Sequence, residues 1–62
     1  MEKVLWDFLF EDKESGEQFF VETTSLSQAE VILQMSGFEE EEYEFLGKYT
    51  VEEAEILGYD TY

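Results

Sequence analysis

The sequence predicts an α+β domain in the order ββαβα, with a three-stranded antiparallel sheet, a main helix packed on one face and a short C-terminal helix. Three observations support this class. Two segments with alternating apolar residues are joined by a turn, and they are followed by a segment with a helical apolar stripe, an N-terminal cap and a terminal glycine. A third, aromatic segment then precedes a second capped helix. With 62 residues, the chain is expected to form a single domain, residues 1–62, with a thin core.

The first two strands are predicted to form a hairpin. Residues 3–11, KVLWDFLFE, alternate apolar side chains on one face, as a half-buried strand does. These side chains are Val4, Trp6, Phe8 and Phe10. Residues 12–17 contain the turn formers Asp, Ser and Gly, and Gly16 can take the positive φ that closes a hairpin. Residues 17–24, EQFFVETT, are rich in strand formers and predict the second strand.

The main helix is predicted at residues 25–37, SLSQAEVILQMSG. Two N-terminal capping boxes compete, one from Ser25 with Gln28 and one from Ser27 with Glu30. An apolar stripe at positions 26, 29, 32 and 33 gives the helix one buried face, and the glycine at position 37 ends it.

A third strand is predicted at about residues 41–49, where Tyr43 and Phe45, together with Gly47 and Tyr49, are expected to share a face. The second helix is predicted at residues 50–58. The threonine at its first position is expected to cap it, and the glutamate three residues later completes a capping box. The glycine at its last position is expected to stop it. The pattern does not determine which strand is central.

The first strand is apolar on both faces. If the main helix covers the face of Trp6, then Leu5, Leu9 and Phe20 are left on the other face. A small monomer rarely exposes such a patch. Either the second helix folds over it or two chains meet there. We predict a homodimer with these three residues in the contact, since a dimer supplies the buried area that a short chain lacks.

Charge is the strongest compositional signal. Asp and Glu number 17 against three lysines, Lys3, Lys13 and Lys48, and the net charge is −14. We therefore predict no direct binding to nucleic acid or to an anionic membrane, whereas a basic protein surface would be attracted. No segment has the length and composition of a membrane span or a targeting leader, so a cytoplasmic location is expected.

The residues needed for most catalytic sites are absent, because the chain has no His, Cys or Arg. Nucleophile–His pairs cannot form, and the single glycines build no phosphate loop. The acidic run at residues 39–42 lacks the spacing of a calcium-binding loop. We predict no enzyme activity, no cofactor and no metal site.

The run Glu39, Glu40, Glu41 and Glu42 has two interpretations. If a strand starts near residue 40, alternate glutamates up to position 44 form a row with a spacing of about 6.6 Å, close to that of successive DNA phosphates. Glu52 and Glu55, three apart on the second helix, would extend this row into one negative surface that mimics DNA. The alternative is a solvated edge that discourages sheet aggregation.

Charge alone raises association rates more than affinity, so the surface also needs apolar anchors. Tyr43 and Tyr49 are the candidates, with core packing as the alternative for Tyr43. The full set of predicted partner-binding residues is Glu39, Glu40, Glu41, Glu42, Tyr43, Glu44, Tyr49, Glu52 and Glu55.

The chain resembles the small, very acidic, Cys-free proteins that bacteriophages and mobile elements encode. The resemblance rests on its length, its excess of acids, and the segments FFVETTSLSQAE and YTVEEAEILGYDTY. Some of these proteins inhibit host DNA-processing or defence proteins, in several cases by imitating DNA. The resemblance implies a stoichiometric inhibitor that binds a basic surface on a host protein in the host cell cytoplasm. The alternative is a small structural or accessory phage protein that self-assembles and is acidic only for solubility.

Overall fold

The computed structural model describes residues 4–62, and the predicted ββαβα order and α+β class are confirmed. The elements are β1 (Trp6–Asp12), β2 (Gln18–Thr23), α1 (Leu26–Met35), β3 (Tyr43–Tyr49) and α2 (Val51–Leu57). The strands form one antiparallel sheet in the order β2-β1-β3, so the first strand is central. Lys3, where the first strand was predicted to start, lies outside the described residues.

The β1–β2 hairpin forms as predicted. Phe8 pairs with Val21 and Leu9 with Phe20, which puts each pair on its own face of the sheet. The turn closes with hydrogen bonds between the backbones of residues 12 and 17 (2.8 Å) and of residues 16 and 12 (2.7 Å). Gly16 has a φ of 78°, a left-handed conformation that glycine adopts readily and residues with a Cβ atom disfavour.

The first helix begins at the earlier of the two possible caps. The Ser25 hydroxyl accepts a hydrogen bond from the Gln28 backbone N–H at 3.2 Å, so Ser27 lies inside α1. Ala29 and Leu33 are fully buried against the sheet. The cluster beneath α1 consists of Phe8, Phe10, Val21, Ala29, Leu33 and Tyr43.

A bulge interrupts β3. Phe45 pairs with Phe10 but Gly47 pairs with Leu9, which leaves Leu46 without a partner on β1. The prediction that the four alternate residues share a face is therefore wrong beyond Phe45. The extra residue turns Gly47 and Tyr49 to the opposite side of the sheet from α1.

The second helix begins and ends at the residues predicted for its caps, Thr50 and Gly58. The Thr50 hydroxyl accepts from the Glu53 N–H, and the Glu53 carboxylate accepts from the Thr50 N–H, each at 3.1 Å. Gly58 ends the helix with a φ of 76°. Neither helix in the described part of the chain has the length and apolar character to cross a bilayer.

Helix α2 covers the sheet face opposite α1. Leu9, Phe20 and Ala54 are buried together there, with Tyr49 packed against them. Of the two alternatives for the apolar far face, the structure has the second helix folded over it. Leu9 and Phe20 are thus interior residues and do not form the surface patch predicted for a dimer. Leu5 remains half exposed.

The C-terminal segment lies beside β2 in parallel. The Phe20 N–H donates to the Asp60 carbonyl (2.8 Å), and the Tyr62 N–H donates to the Phe20 carbonyl (2.6 Å). The Tyr62 ring packs on Phe19 and Phe38, with centroids 5.5 and 6.0 Å away. This segment covers the outer edge of β2.

Candidate protein-binding surface

The four consecutive glutamates lie in the loop between α1 and β3. Because β3 begins at Tyr43, Glu40 and Glu42 are not on a strand, and the predicted phosphate-like row with Glu44 does not form. The loop is nevertheless ordered by its own hydrogen bonds. The Glu42 N–H donates to the Glu39 carbonyl, and the Glu39 N–H donates to the Glu42 carboxylate, both at 2.9 Å.

These bonds give the glutamates two different roles. Glu42 is partly buried and its carboxylate holds the turn, whereas Glu39, Glu40 and Glu41 are exposed. Three carboxylates therefore face solvent from a backbone fixed at both ends, which lowers the entropy lost on binding a partner.

The loop is joined to the β1–β2 turn. The Lys13 backbone N–H donates to the Glu42 carbonyl at 2.9 Å, which brings the two segments side by side. Next to them, Glu11 of β1 lies directly opposite Glu44 of β3. We call this region the acidic end of the sheet. Its acidic residues are Glu11, Asp12, Glu14, Glu17, Glu39, Glu40, Glu41, Glu42 and Glu44.

Among the described residues, the acidic end contains one basic side chain, that of Lys13. Like charges placed directly across two strands destabilise the pair, and here Glu11 and Glu44 are such a pair. Their repulsion decreases as salt screens it. A dense set of exposed carboxylates produces a strong negative potential that attracts Lys and Arg on a partner.

The turn residues at the acidic end were missed by sequence reasoning. Asp12, Glu14 and Glu17 are close to the glutamate loop only because β1 is the central strand and β3 runs back along it. No local pattern in residues 12–17 indicates which loop they will contact.

The predicted residues on α2 lie at the other end of β3. Glu52 and Glu55 are exposed, but the seven residues of β3 separate them from the glutamate loop, a span of about 20 Å. The structure therefore divides the predicted continuous negative surface in two. Near the α2 end, the Lys48 ammonium lies 4.0 Å from the centre of the Trp6 ring.

The two predicted tyrosine anchors are both engaged in the core. Tyr43 is buried, its ring meets Phe10 edge-on at 5.6 Å, and its hydroxyl accepts a hydrogen bond from the Gln34 amide at 3.2 Å. Tyr43 is thus a packing residue and offers no anchor surface. Tyr49 is partly buried and packs edge-on against Phe20 at 5.9 Å.

Asp7 is a further polar residue that sequence reasoning did not select. Its side chain is only 3% exposed, and its Oδ1 has no hydrogen-bond partner among residues 4–62. Burial raises the pKa of the Asp7 carboxyl above its ordinary value of 3.8, and the nearby Glu22 and Glu55 raise it further. The sequence signal that could have identified Asp7 is its position in the run VLWDFLF, where it shares a strand face with the apolar residues Leu5 and Leu9.

Within residues 4–62, no group of three or more His, Cys, Asp or Glu side chains is arranged to hold a metal ion. The acidic end instead exposes carboxylates on a loop whose backbone is held by hydrogen bonds. The chain matches no protein-family model, and neither a curated protein nor a solved structure matches it.

Proposed function

We propose that this protein is a small acidic inhibitor of the phage type, which binds a basic surface on a host defence or DNA-processing protein and blocks it without catalysis. The observation that carries the proposal is the acidic end, where two segments distant in sequence place their carboxylates side by side around Lys13. A protein that binds DNA already presents Lys and Arg to such a surface.

The physical properties of the acidic end favour binding of a protein. Its exposed carboxylates lie on a tight loop and a tight turn that are hydrogen-bonded to each other, so the backbone that carries them is ordered before a partner arrives. Electrostatic steering would speed association and make it sensitive to salt. Charge mimicry of DNA then comes from the loop and turn together.

The test combines affinity capture with competition. Tagged protein is immobilised, exposed to bacterial lysate and eluted along a salt gradient, and the bound protein is identified by mass spectrometry. The captured protein is then given a fluorescent DNA duplex, and we expect displacement of the duplex by the inhibitor at one-to-one stoichiometry. Recovery of no partner, or of one whose activity and DNA binding are unchanged, contradicts the proposal.

Charge variants localise the surface. Changing Glu39, Glu40 and Glu41 together to Gln should weaken binding by about 10-fold or more and flatten its salt dependence. These three side chains are exposed and make no hydrogen bond that holds the loop, so the fold should persist.

The matched control removes three charges outside the acidic end, through Glu30→Gln on α1 and Glu52→Gln and Glu53→Gln on α2 in one variant. The side-chain carbonyl of a glutamine at position 53 can still accept the capping hydrogen bond from the Thr50 N–H, so α2 should persist. We expect this variant to bind within about threefold of the wild type, because solvent and salt screen charges far from the contact. An equal loss in both triple variants would show that only net charge matters.

Self-assembly is the second candidate. It is favoured by Val4 and Leu5, which are 62% and 50% exposed and line a shallow cleft with Val51. We expect sedimentation velocity to show a dimer that Leu5→Gln converts to monomer at the same concentration. A monomer at every concentration up to millimolar would contradict this candidate and leave the inhibitor proposal unaffected.

A further inference from the structure

Asp7 lines a cavity between the sheet and α2, away from the acidic end. The cavity has a volume of about 360 Å³, at the small end of the range of about 300–1,000 Å³ for ligand sites. Its walls come from three parts of the fold: the sheet, α2 and the C-terminal segment. Its lining includes Asp7, Phe20, Glu22, Glu55 and Tyr59.

The cavity combines acidic side chains with aromatic rings. Asp7 is opposite Glu22 across the β1–β2 pair, and Glu55 of α2 also lines the cavity. The rings of Phe20 and Tyr59 meet edge-on at 5.9 Å within the same wall. Carboxylates combined with aromatic rings are the groups that bind organic cations in proteins.

The Oδ1 atom of Asp7, which has no hydrogen-bond partner within residues 4–62, favours an occupant that donates hydrogen bonds. A buried polar atom without a partner is costly, and the cost is greater when the group is ionised. A carboxylate with two acidic neighbours attracts a positive charge. The carboxylates do not form a metal-binding group among the described residues, so the cavity suits a larger cation with N–H donors.

We propose that the Asp7 cavity binds one cationic side chain, a lysine ammonium or an arginine guanidinium, that projects from the basic partner. Asp7 accepts hydrogen bonds from the cation at the base of the cavity. Glu22 and Glu55 add attraction at its exposed rim, and the ring of Tyr59 lies beside it. This site deepens the proposed function and rests on it for the source of the cation.

The test needs no partner and can fail independently of the proposed function. Isotopically labelled protein of residues 1–62 is titrated with n-butylammonium chloride and, separately, with methylguanidinium chloride. The chemical shifts of the carboxyl carbons are followed by NMR. Sodium chloride at equal ionic strength is the reference. We expect a saturable shift at Asp7, Glu22 and Glu55, and a lower pKa of Asp7 when the cation is bound. The probe that binds more tightly indicates which side chain the cavity prefers.

Two variants with the same charge change decide the outcome. Asp7→Asn should weaken binding of the probe by about tenfold or more. Glu30→Gln, on α1 at the opposite face of the sheet, should change it by less than about twofold because solvent screens distant charges. Glu55→Gln, on the exposed side of α2, should have an intermediate effect. Shifts that spread evenly over all carboxyl groups, or saturation that survives Asp7→Asn, would overturn the proposal.

Discussion

Phe20→Ala is expected to remove most of the stability of this domain. Phe20 is fully buried under α2, and its ring contacts Tyr49 and Tyr59 edge-on, both at 5.9 Å. Replacing a buried Phe by Ala costs about 3–5 kcal/mol. A chain of this length has a free energy of unfolding of roughly 3–9 kcal/mol, at about 0.05–0.15 kcal/mol per residue. The variant should therefore be partly or largely unfolded at 25 °C.

Urea titration monitored by circular dichroism and by fluorescence of Trp6 measures this loss. Phe45→Ala is the matched control, because the same atoms are removed from a side chain that is 41% exposed. We expect the control to lose clearly less stability than Phe20→Ala. Equal losses would mean that α2 does not form a second core with Phe20.

Asp7→Asn is expected to stabilise the protein at pH 7. The substitution removes a buried charge whose Oδ1 has no hydrogen-bond partner among the described residues, and it relieves repulsion from Glu22 and Glu55. The Asn amide still buries a polar atom at this position, so the gain comes from removing the charge alone and should be about 1 kcal/mol. Tyr49 on β3 and Tyr59 in the C-terminal segment also lie near Asp7.

The gain should depend on pH with a defined sign. The pKa of Asp7 is raised in the folded state, so folding favours its protonated form, and ionised Asp7 lowers stability at neutral pH. As pH falls through the raised pKa towards 3.8, the wild-type protein regains this stability. The advantage of Asp7→Asn should shrink over that window and level off below it.

Urea titrations of both proteins at a series of pH values and constant ionic strength give the difference directly. Glu14→Gln controls for the loss of one negative charge at an exposed position. A destabilised Asp7→Asn variant at pH 7, or a difference that does not change with pH, would show that Asp7 is satisfied in the folded protein. A binding group often lowers the stability of the protein that carries it, and a charge buried in a cavity is expected to do so.

The elements with local signals were predictable from the sequence. The β1–β2 hairpin depends on alternation and on the turn at Gly16, and α2 depends on the capping box of Thr50 and Glu53. These features act within a few residues. The N-terminal cap of α1 was narrowed to two serines, and the structure selects Ser25.

The features that depend on strand register were not predictable in the same way. The bulge at Leu46 arises from how β3 meets β1, and it moves Tyr49 to the other face. The acidic end likewise depends on the central position of β1, which no local pattern indicates. The site prediction therefore included the exposed glutamates of the loop but not the turn acids beside them.

The central position of β1 has a consequence for the order of folding. Its partner β2 follows after a short turn, whereas β3 arrives only after α1 and the glutamate loop have been traversed. Closing the longer loop costs more entropy, and non-local strand pairing is slow. The hairpin is thus the element that can form earliest. Docking of β3 brings the acidic loop against the β1–β2 turn, and this step is expected to limit the folding rate. Its barrier should fall as added salt screens the repulsion between the loop and the turn.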